Sequence, residues 1–320
     1  MELEAVTRTV EALRRELAKV IVGMDGVLDQ IIVALLSGGH VLLEGPPGTA
    51  KTLLVRALAL ATGGEFHRVQ FTPDLMPADI VGVNIFHAHS ATFQFSPGPI
   101  FCDLLLADEI NRAPAKTQSA LLEAMQEQQV TVDRESRPLS PVFTVFATQN
   151  PIEYEGTYPL PEAQLDRFLF KTVLGYLDKE QEIEILSRYQ AGFDAARLAT
   201  FGIEPCTSVA ELVEMRAAVR QVIVAPPVSD YIVSIVRATR GLPSLTLGAS
   251  ARAAVMLFLA SKAFAVLRGR SYVTPDDVRD LAAPVLRHRI VLNPESEIEG
   301  MTADKCIERM LEQHVPVPRL

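Results

Sequence analysis

Residues 41–52 read Val-Leu-Leu-Glu-Gly-Pro-Pro-Gly-Thr-Ala-Lys-Thr, and this stretch decides the fold class. Its apolar start predicts a buried strand, its glycines and prolines predict a turn, and residues 52–61 have the composition of a helix. A strand, a tight turn and a helix in this order aim backbone N–H groups and a helix N-terminus at one spot, which suits a phosphate chain. The alternative is an ordinary strand–turn–helix connection.

The lysine and the hydroxyl residue of this turn fit a nucleotide. Lys51 would reach the terminal phosphates, and the Thr52 hydroxyl would bind a magnesium ion. The residues predicted to surround the phosphates are Gly45, Pro46, Pro47, Gly48, Thr49, Ala50, Lys51, Thr52 and Leu53. The usual pattern has glycine where this chain has Ala50, and alanine is tolerable there if its φ is negative, since only a positive φ demands glycine.

A second apolar run, residues 100–107, ends in Asp108-Glu109. Such a run is typical of a parallel strand buried on both faces, and functional groups of open α/β sheets lie at the carboxyl ends of strands. Asp108 would hold the magnesium ion through water, and Glu109 would polarise the attacking water. A solvated acidic pair capping a helix that starts near Pro114 is the alternative, but the preceding glycine-bearing turn favours the nucleotide interpretation.

A third predicted strand, residues 142–148, is followed by Gln149 and Asn150. The Asn150 amide could hydrogen-bond the attacking water or the γ-phosphate. The same residue precedes Pro151, and Asn-Pro also starts turns.

Residues 160–168 predict a short helix that displays Arg167. A guanidinium fork suits a transferring phosphoryl group, either in the same subunit or from a neighbour. On this segment alone, a surface ion pair with Asp166 or Glu162 is the favoured explanation of Arg167.

The order of these motifs resembles the AAA+ ATPases, and specifically the MoxR family. The resemblance is carried by residues 44–52 (EGPPGTAKT), 107–118 (ADEINRAPAKTQ), 121–125 (LLEAM), 147–151 (ATQNP), 160–168 (LPEAQLDRF), 248–253 (GASARA) and 269–278 (GRSYVTPDDV). It implies an α/β nucleotide-binding domain, in which helices sandwich a parallel sheet with β-hairpin insertions, followed by an all-α lid domain. It also implies ATP hydrolysis with ATP and Mg²⁺ as cofactors.

The resemblance gives each candidate site residue a role. Lys51 and Thr52 belong to the Walker A motif, Asp108 and Glu109 to Walker B, Asn150 is sensor 1, Arg167 the arginine finger and Arg252 sensor 2. Val22 and Gly23 belong to an early segment expected beside the nucleotide base, where Met24 replaces the family's glutamine. Ala251 replaces the family's proline before the sensor-2 arginine, and we expect Ser250 still to cap that helix.

Composition limits the partners. The chain has 320 residues, of which 48% are hydrophobic, and a net charge of −9, from 30 basic and 39 acidic side chains. This acidic balance argues against nucleic acid as the main partner. Three widely spaced cysteines, Cys102, Cys206 and Cys306, fit neither a metal site nor a disulfide framework, and are expected to be small buried or half-buried hydrophobes. With no signal-peptide pattern and no apolar run of ~20 residues, the expectation is a soluble cytoplasmic protein without membrane insertion.

Two domains are predicted, residues 1–175 and 176–320. The first begins with an amphipathic helix at residues 3–20 and carries two β-hairpins within residues 81–99 and 130–141. His87 and His89 share one strand face of the first hairpin, and a solvated pair is favoured over a metal site there. The second domain is predicted to hold helices at residues 179–191, 209–222, 229–240, 250–267 and 275–288.

The resulting hypothesis is ATP hydrolysis at a subunit interface of a homo-oligomeric ring, most simply a hexamer. The resemblance further implies a chaperone-like role in maturing or assembling protein complexes by metal or cofactor insertion, with protein clients and a partner that bears a von Willebrand factor A domain. The alternatives are a nucleic-acid motor related to replicative helicases, a magnesium-chelatase-like subunit and a non-hydrolysing switch. At the tip of the second hairpin Arg134 and Arg137 are offset by Asp133 and Glu135, which favours protein over nucleic acid. Whether Arg252 acts within its own subunit stays open.

Overall fold

A computed structural model describes residues 1–150, 157–195, 197–198 and 202–318; the predicted turn residue Pro151 lies outside them. The strands of the first part of the chain are β1 Val41–Glu44, β2 Phe66–Gln70, β3 Gly82–His87, β4 Thr92–Pro97, β5 Leu104–Asp108, β6 Gln129–Val132, β7 Glu135–Pro138, β8 Thr144–Gln149 and β9 Phe170–Val173. Its helices are α1 Leu3–Ala18, α2 Asp25–Ser37, α3 Lys51–Thr62, α4 Pro77–Val81, α5 Ala115–Glu127 and α6 Glu162–Leu165, with a 3₁₀ turn at Ile110–Arg112.

Five parallel strands form the central sheet in the order β2-β5-β8-β1-β9. Successive side chains of each inner strand enter two different cores, so Leu104 and Leu106 face helices α1 to α3 while Leu105 and Ala107 face α5. Burial on both faces explains why the strands read as unbroken apolar runs. The predicted α/β sandwich is therefore confirmed.

Two predicted strands begin later than expected. β5 starts at Leu104 rather than at Ile100, because residues 98–103 form a turn in which the Phe101 N–H donates to the Gly98 carbonyl (3.2 Å). The Ile100 side chain is fully buried in this turn, which is why composition extended the strand. Similarly, β8 starts at Thr144, two residues after the expected Val142.

Both predicted hairpins are present, as β3–β4 and β6–β7. They contact each other. The Asn84 amide donates to the Asp133 carboxylate (2.6 Å), and the Arg137 guanidinium lies 3.9 Å from the centre of the Phe95 ring. The two insertions therefore form one projection from the sheet.

The second part of the chain is helical, as predicted. Its helices are α7 Lys179–Gln190, α8 Val209–Val219, α9 Pro226–Thr239, α10 Ala251–Leu267, α11 Pro275–Leu286, α12 Pro294–Ile298 and α13 Ala303–Gln313. A short antiparallel pair, β10 Leu245–Leu247 and β11 Val291–Leu292, adds to the expected all-α arrangement. No helix among the described residues has the length and apolarity that crossing a membrane requires.

Helix α2 joins the two parts of the molecule. Its buried side chains include the consecutive residues Ile31, Ile32, Val33, Ala34, Leu35 and Leu36, which surround the helix and join one core cluster with residues of the sheet, α8 and α10. A helix that is apolar on all sides is buried on all sides. The sheet-containing part and the helical second part thus share a continuous hydrophobic core.

Arg216 of α8 makes a second connection. Its buried guanidinium donates to the carbonyls of Leu35 (2.8 Å), Pro141 (2.9 Å) and Val142 (3.1 Å). Burial lowers the pKa of Arg216 to about 10, with a smaller contribution from Arg220. Because that pKa is far above neutrality, a charged donor ties the lid to α2 and to the start of β8.

Two histidines are fully enclosed in this fold. His40 Nε2 lies 3.1 Å from the Met125 carbonyl, and its Nδ1 accepts from the Val145 N–H (3.0 Å). Burial lowers the pKa of His40 to about 4 and that of His288 well below its ordinary value. Both imidazoles are therefore neutral near pH 7.

Acidification should destabilise the protein through these two residues. The folded pKa is depressed, so each histidine contributes stability above its unfolded pKa, and that stability is lost as the pH falls toward the folded pKa. Between pH 6 and pH 5 the free energy of unfolding should fall by about 2 kcal/mol, because two protons are taken up only on unfolding. Urea unfolding at both pH values measures it. The exposed-site variant His89→Asn should keep the slope, and a free energy independent of pH over this range would contradict neutral burial.

Candidate active site

A cavity of about 530 Å³ opens where β1, β5 and β8 end. It is lined by Pro47, Gly48, Thr49, Ala50, Lys51, Thr52, Leu53, Arg56, Asp108, Glu109, Thr148, Gln149, Asn150 and Ala195. Parallel pairing of neighbouring strands brings these residues together, because it aligns the carboxyl ends of the strands at one edge. The predicted strand–turn–helix, acidic pair and Asn150 thus meet in one place.

Two predicted phosphate-loop residues, Gly45 and Pro46, do not line this cavity, but their carbonyls bond to residues that do. The carbonyls of Gly45 and Pro46 accept from Lys51 Nζ, the second at 3.2 Å, and Pro46 also accepts from the Thr49 hydroxyl (2.9 Å). The bonds hold the lysine folded over the loop. Partial burial lowers the pKa of Lys51, while the carboxylates of Asp108, Glu109 and Glu44 act in the opposite direction.

Ala50 has a φ of 58°. The condition under which alanine was expected to be tolerable at this position, a negative φ, is therefore not met. The residue immediately precedes α3, at the N-cap position, and its backbone has the left-handed α conformation. An alanine in this left-handed region costs about 1–2 kcal/mol. Its small Cβ is still tolerated, and its carbonyl accepts the first helical bond from the Leu54 N–H (3.0 Å).

Asp108 is oriented by two groups. Its Oδ1 accepts from the Thr148 hydroxyl (2.6 Å), and its Oδ2 accepts from both Nε (3.1 Å) and a terminal nitrogen (2.6 Å) of Arg68. Thr148 also accepts from the Glu109 N–H (2.8 Å). One buried hydroxyl therefore fixes the positions of both acidic residues.

Glu109 is held by two side chains outside the phosphate loop. Its Oε2 accepts from the Gln70 amide (2.8 Å) and from Arg112 (3.1 Å). Its φ is 56°, a conformation that costs a non-glycine residue on the order of 1–3 kcal/mol and that occurs preferentially at functional sites. In this arrangement the carboxylate would have to leave Gln70 to reach a water next to a γ-phosphate.

A second cavity, of about 270 Å³, adjoins the first. The two share Gly48, Thr49, Ala50 and Leu53, and the remaining lining of the second is Val20, Ile21, Val22, Met24, Gly175, Tyr176, Leu177, Glu182, Ile185, Arg188, Tyr189 and Phe193. A largely apolar cavity next to a phosphate site suits a nucleotide base. Val22 and Met24 lie in it.

Gly23 does not line that second cavity, although it was predicted to bind the cofactor. It faces a separate depression, where its φ is 68° and the Gln181 side chain would come within 2.3 Å of an added Cβ. The positive φ is what favours glycine here, since the end of the Gln181 side chain could move aside, and the contribution of Gly23 to a base site would be indirect.

Arg167 and Arg252 lie outside both cavities. They line a third one, of about 230 Å³, on another face. An Arg167 terminal nitrogen donates to the Leu122 carbonyl (2.6 Å), and Arg167 pairs with neither Asp166 nor Glu162. Within the part of the chain that the structure describes, Arg252 makes no hydrogen bond or ion pair.

Ser250 also differs from expectation. It occupies the N-cap position of α10, but its hydroxyl makes no capping bond and donates instead to Asp166 Oδ2 (3.1 Å). The first turn of α10 is thereby tied to the segment that carries Arg167.

The sequence alone did not reveal Arg68, Gln70, Arg112 or Thr148. Arg68 and Gln70 lie on β2, an edge strand of the sheet. Its polar side chains interrupt the apolar run by which the inner strands are recognised in the sequence. Thr148 reads as one more β-branched strand residue. The signal that could have found it is position, since Thr148 ends the strand beside the one that carries the acidic pair.

Comparison with known proteins agrees with this geometry. Residues 40–170 match the family of ATPases associated with various cellular activities, and residues 237–310 match the AAA lid domain. Chaperone MoxR1 of Mycobacterium tuberculosis is 43% identical over 99% of this chain and 85% of its own length. The chain belongs to the MoxR family of AAA+ ATPases. YeaC, an uncharacterized protein of Bacillus subtilis, is 46% identical over 94% of this chain and 93% of its own.

A solved structure shares the complete MoxR-type arrangement. The crystal structure of a candidate ATPase from Cytophaga hutchinsonii has a TM-score of 0.89 and is 42% identical, covering 98% of this chain and 96% of that one. The likeness extends over the sheet and the helical lid together.

The residues present fit ATP and Mg²⁺. A lysine, a hydroxyl and two carboxylates converge on one cavity. A largely apolar cavity adjoins it and shares part of its lining. Among the described residues no group of three or more histidine, cysteine or acidic side chains could hold a metal alone. Mg²⁺ keeps several of its waters and binds through one or two carboxylates plus phosphates, and Asp108 with the Thr52 hydroxyl would be its ligands here.

Removing the Thr148 hydroxyl should affect magnesium binding. Thr148→Val keeps the shape but leaves Asp108 Oδ1 and the Glu109 N–H without this partner. The free energy of unfolding should fall by about 1–3 kcal/mol, and Mg²⁺-dependent binding of a fluorescent ATP analogue should weaken about tenfold or more.

Thr172→Val is the matched control. Thr172 is equally buried on β9, where its hydroxyl donates to Gln30 (2.7 Å) away from the acidic pair. It should lose similar stability and keep magnesium-dependent binding. Equal nucleotide affinities for the two variants would contradict an orienting role for Thr148.

Proposed function

We propose that this chain hydrolyses ATP at sites shared between adjacent subunits of a homo-oligomeric ring, most simply a hexamer. One observation carries the proposal: Arg167 and Arg252 share a cavity that is separate from the one holding Lys51, Asp108 and Glu109. Two arginines suited to phosphate and separated from the phosphate loop of their own subunit support a role at the nucleotide of a neighbour. A head-to-tail interface that closes into a ring repeats this complementarity at every contact.

The residues of one subunit would divide the work at the phosphates. The loop N–H groups and Lys51 bind them, and Thr52 and Asp108 hold Mg²⁺, which neutralises charge on the β- and γ-phosphates. Glu109, released from Gln70 and Arg112, orients the attacking water and accepts its proton. Asn150, at the end of β8, hydrogen-bonds that water or the γ-phosphate.

The neighbouring subunit would supply the remaining positive charge. Arg167, released from the Leu122 carbonyl, neutralises charge that develops on the transferring phosphoryl group, and such an arginine is worth ~10³-fold or more in rate. Arg252 would contact the same phosphates, also from the neighbour, because it lies with Arg167. Hydrolysis then depends on assembly.

The work done by such a ring would be chaperone-like remodelling of protein clients, in metal or cofactor insertion or other maturation of protein complexes. A relative that shares 43% of its residues carries the name chaperone. The first hairpin offers a contact surface, since Val83, Ile85, Phe86 and Phe93 are exposed there. A von Willebrand factor A protein as adaptor is the partner that the family relationship suggests.

The hairpin charges favour proteins over nucleic acid. Arg137 pairs with Glu135 (2.6 Å) and stacks on Phe95, so its charge is already compensated. A nucleic-acid motor needs uncompensated cations along its track, and binding of DNA with a steep salt dependence would overturn this assignment.

Mixing two inactive variants tests the shared site. Glu109→Gln and Arg167→Ala should each bind ATP and lose at least about 10³-fold in turnover. A one-to-one mixture should recover activity, because random assembly pairs an intact Walker site with an intact arginine in about a quarter of the interfaces. The measurement is the steady-state ATPase rate, with ring formation followed by light scattering. Full activity of Arg167→Ala alone, or no recovery on mixing, would sink the proposal.

Arg252 can be assigned by the same mixtures. If it serves the neighbour, Arg252→Ala should be rescued by Glu109→Gln subunits and not by Arg167→Ala subunits. Rescue by Arg167→Ala instead would place Arg252 on the nucleotide of its own subunit.

A further inference from the structure

The segment that carries Arg167 is held by Arg289, which follows the end of α11. The Arg289 side chain is 1% exposed. Its Nε donates to Asp166 Oδ1 (2.7 Å), and its terminal nitrogens donate to the carbonyls of Asp166 (3.0 Å), Phe168 (2.5 Å) and Leu169 (3.2 Å). These acceptors lie on both sides of Arg167. One guanidinium thus fixes the backbone that precedes and follows the proposed finger.

Asp166 connects this segment to a second element. Its other oxygen, Oδ2, accepts from the Ser250 hydroxyl (3.1 Å), and Ser250 precedes the first turn of α10, where Arg252 lies. The Asp166 carboxylate therefore joins three parts of the chain: the Arg167 segment, the start of α10 and the end of α11.

The arrangement is a costly way to obtain stability alone. Burying the Arg289 guanidinium removes its charge from water, while Asp166 stays partly exposed, and apolar residues of the same volume often stabilise a fold as well as a buried ion pair or better. Burial lowers the pKa of Arg289 to about 10, Asp166 opposes this change, and the nearby charge of Arg252 adds to it. Arg252 therefore lies close enough to Arg289 for their charges to interact, so the same buried guanidinium adjoins both the Arg167 segment and the first turn of α10.

We infer that Arg289 and Asp166 are positioning residues, which set Arg167 and Arg252 at a fixed spacing for the nucleotide of the neighbouring subunit. Neither side chain needs to touch that nucleotide. Arg289 belongs to the lid and Arg167 to the nucleotide-binding part. Displacement of α11 would therefore move Arg167 through its bonds to Arg289, and Arg252 with it through the bond between Asp166 and Ser250. The inference rests on the proposed function, since it requires that the finger acts across an interface.

The test uses Arg289→Met in the full-length chain. Its kcat should fall at least tenfold, while its KM for ATP stays within threefold of the original chain, because its own phosphate loop is untouched. Mixing with Glu109→Gln should restore activity, and mixing with Arg167→Ala should not, since both of those subunits lack a placed finger. Asp166→Asn should behave in the same way and provides a second route if Arg289→Met folds poorly.

Arg287→Met is the matched control. Arg287 follows the same helix and also bonds across to the sheet, at the Lys171 carbonyl (3.1 Å), with an ion pair to Asp304 (2.9 Å). It lies off the Arg167 segment, so its loss should leave kcat within about twofold of the original.

Each remaining outcome is decisive. Rescue of Arg289→Met by Arg167→Ala, or failure of Glu109→Gln to rescue it while the Glu109→Gln and Arg167→Ala pair recovers, would overturn the positioning role and leave the shared site intact. Failure of the Glu109→Gln and Arg167→Ala pair itself would remove the shared site, and the inference with it. Normal kcat in both Arg289→Met and Asp166→Asn would show that the pair only stabilises the fold.

Discussion

The parallel pairing of β1, β5 and β8 is the constraint on which the site depends. Parallel strands end at the same edge, so the phosphate loop after β1, the acidic pair after β5 and Asn150 after β8 are brought together by hydrogen bonding of the backbone alone. A single buried hydroxyl, that of Thr148, then sets both carboxylates. Little further machinery is needed to build a phosphate site from an apolar sheet.

The resting positions of the charged groups have a common character. Glu109 is held by Gln70 and Arg112, and Arg167 is held by a backbone carbonyl. Each of these two groups therefore has a hydrogen-bond partner within its own subunit. The exchange of these partners for phosphate and water is what ring assembly and nucleotide binding would have to drive.

Much of the fold could be read from the sequence because its signals are local. The apolar runs and the glycine-bearing turn each specify an element within about a dozen residues. What escaped prediction depends on three-dimensional neighbours. The positive φ of Ala50, the edge strand β2 with Arg68 and Gln70, and the Ser250 bond to Asp166 all arise from contacts between distant segments, which no single stretch of sequence records.

Helix α2 has a consequence for how this protein can be divided. A boundary near residue 175 looks natural in the sequence, since the sheet ends there and the helices begin. Yet Ile31, Ile32, Leu35 and their neighbours are covered by the sheet on one side and by α8 and α10 on the other. Cutting the chain at that boundary would expose the apolar surface of α2 rather than yield an independently folded domain. The nucleotide-binding part and the lid are therefore expected to unfold as a single cooperative unit.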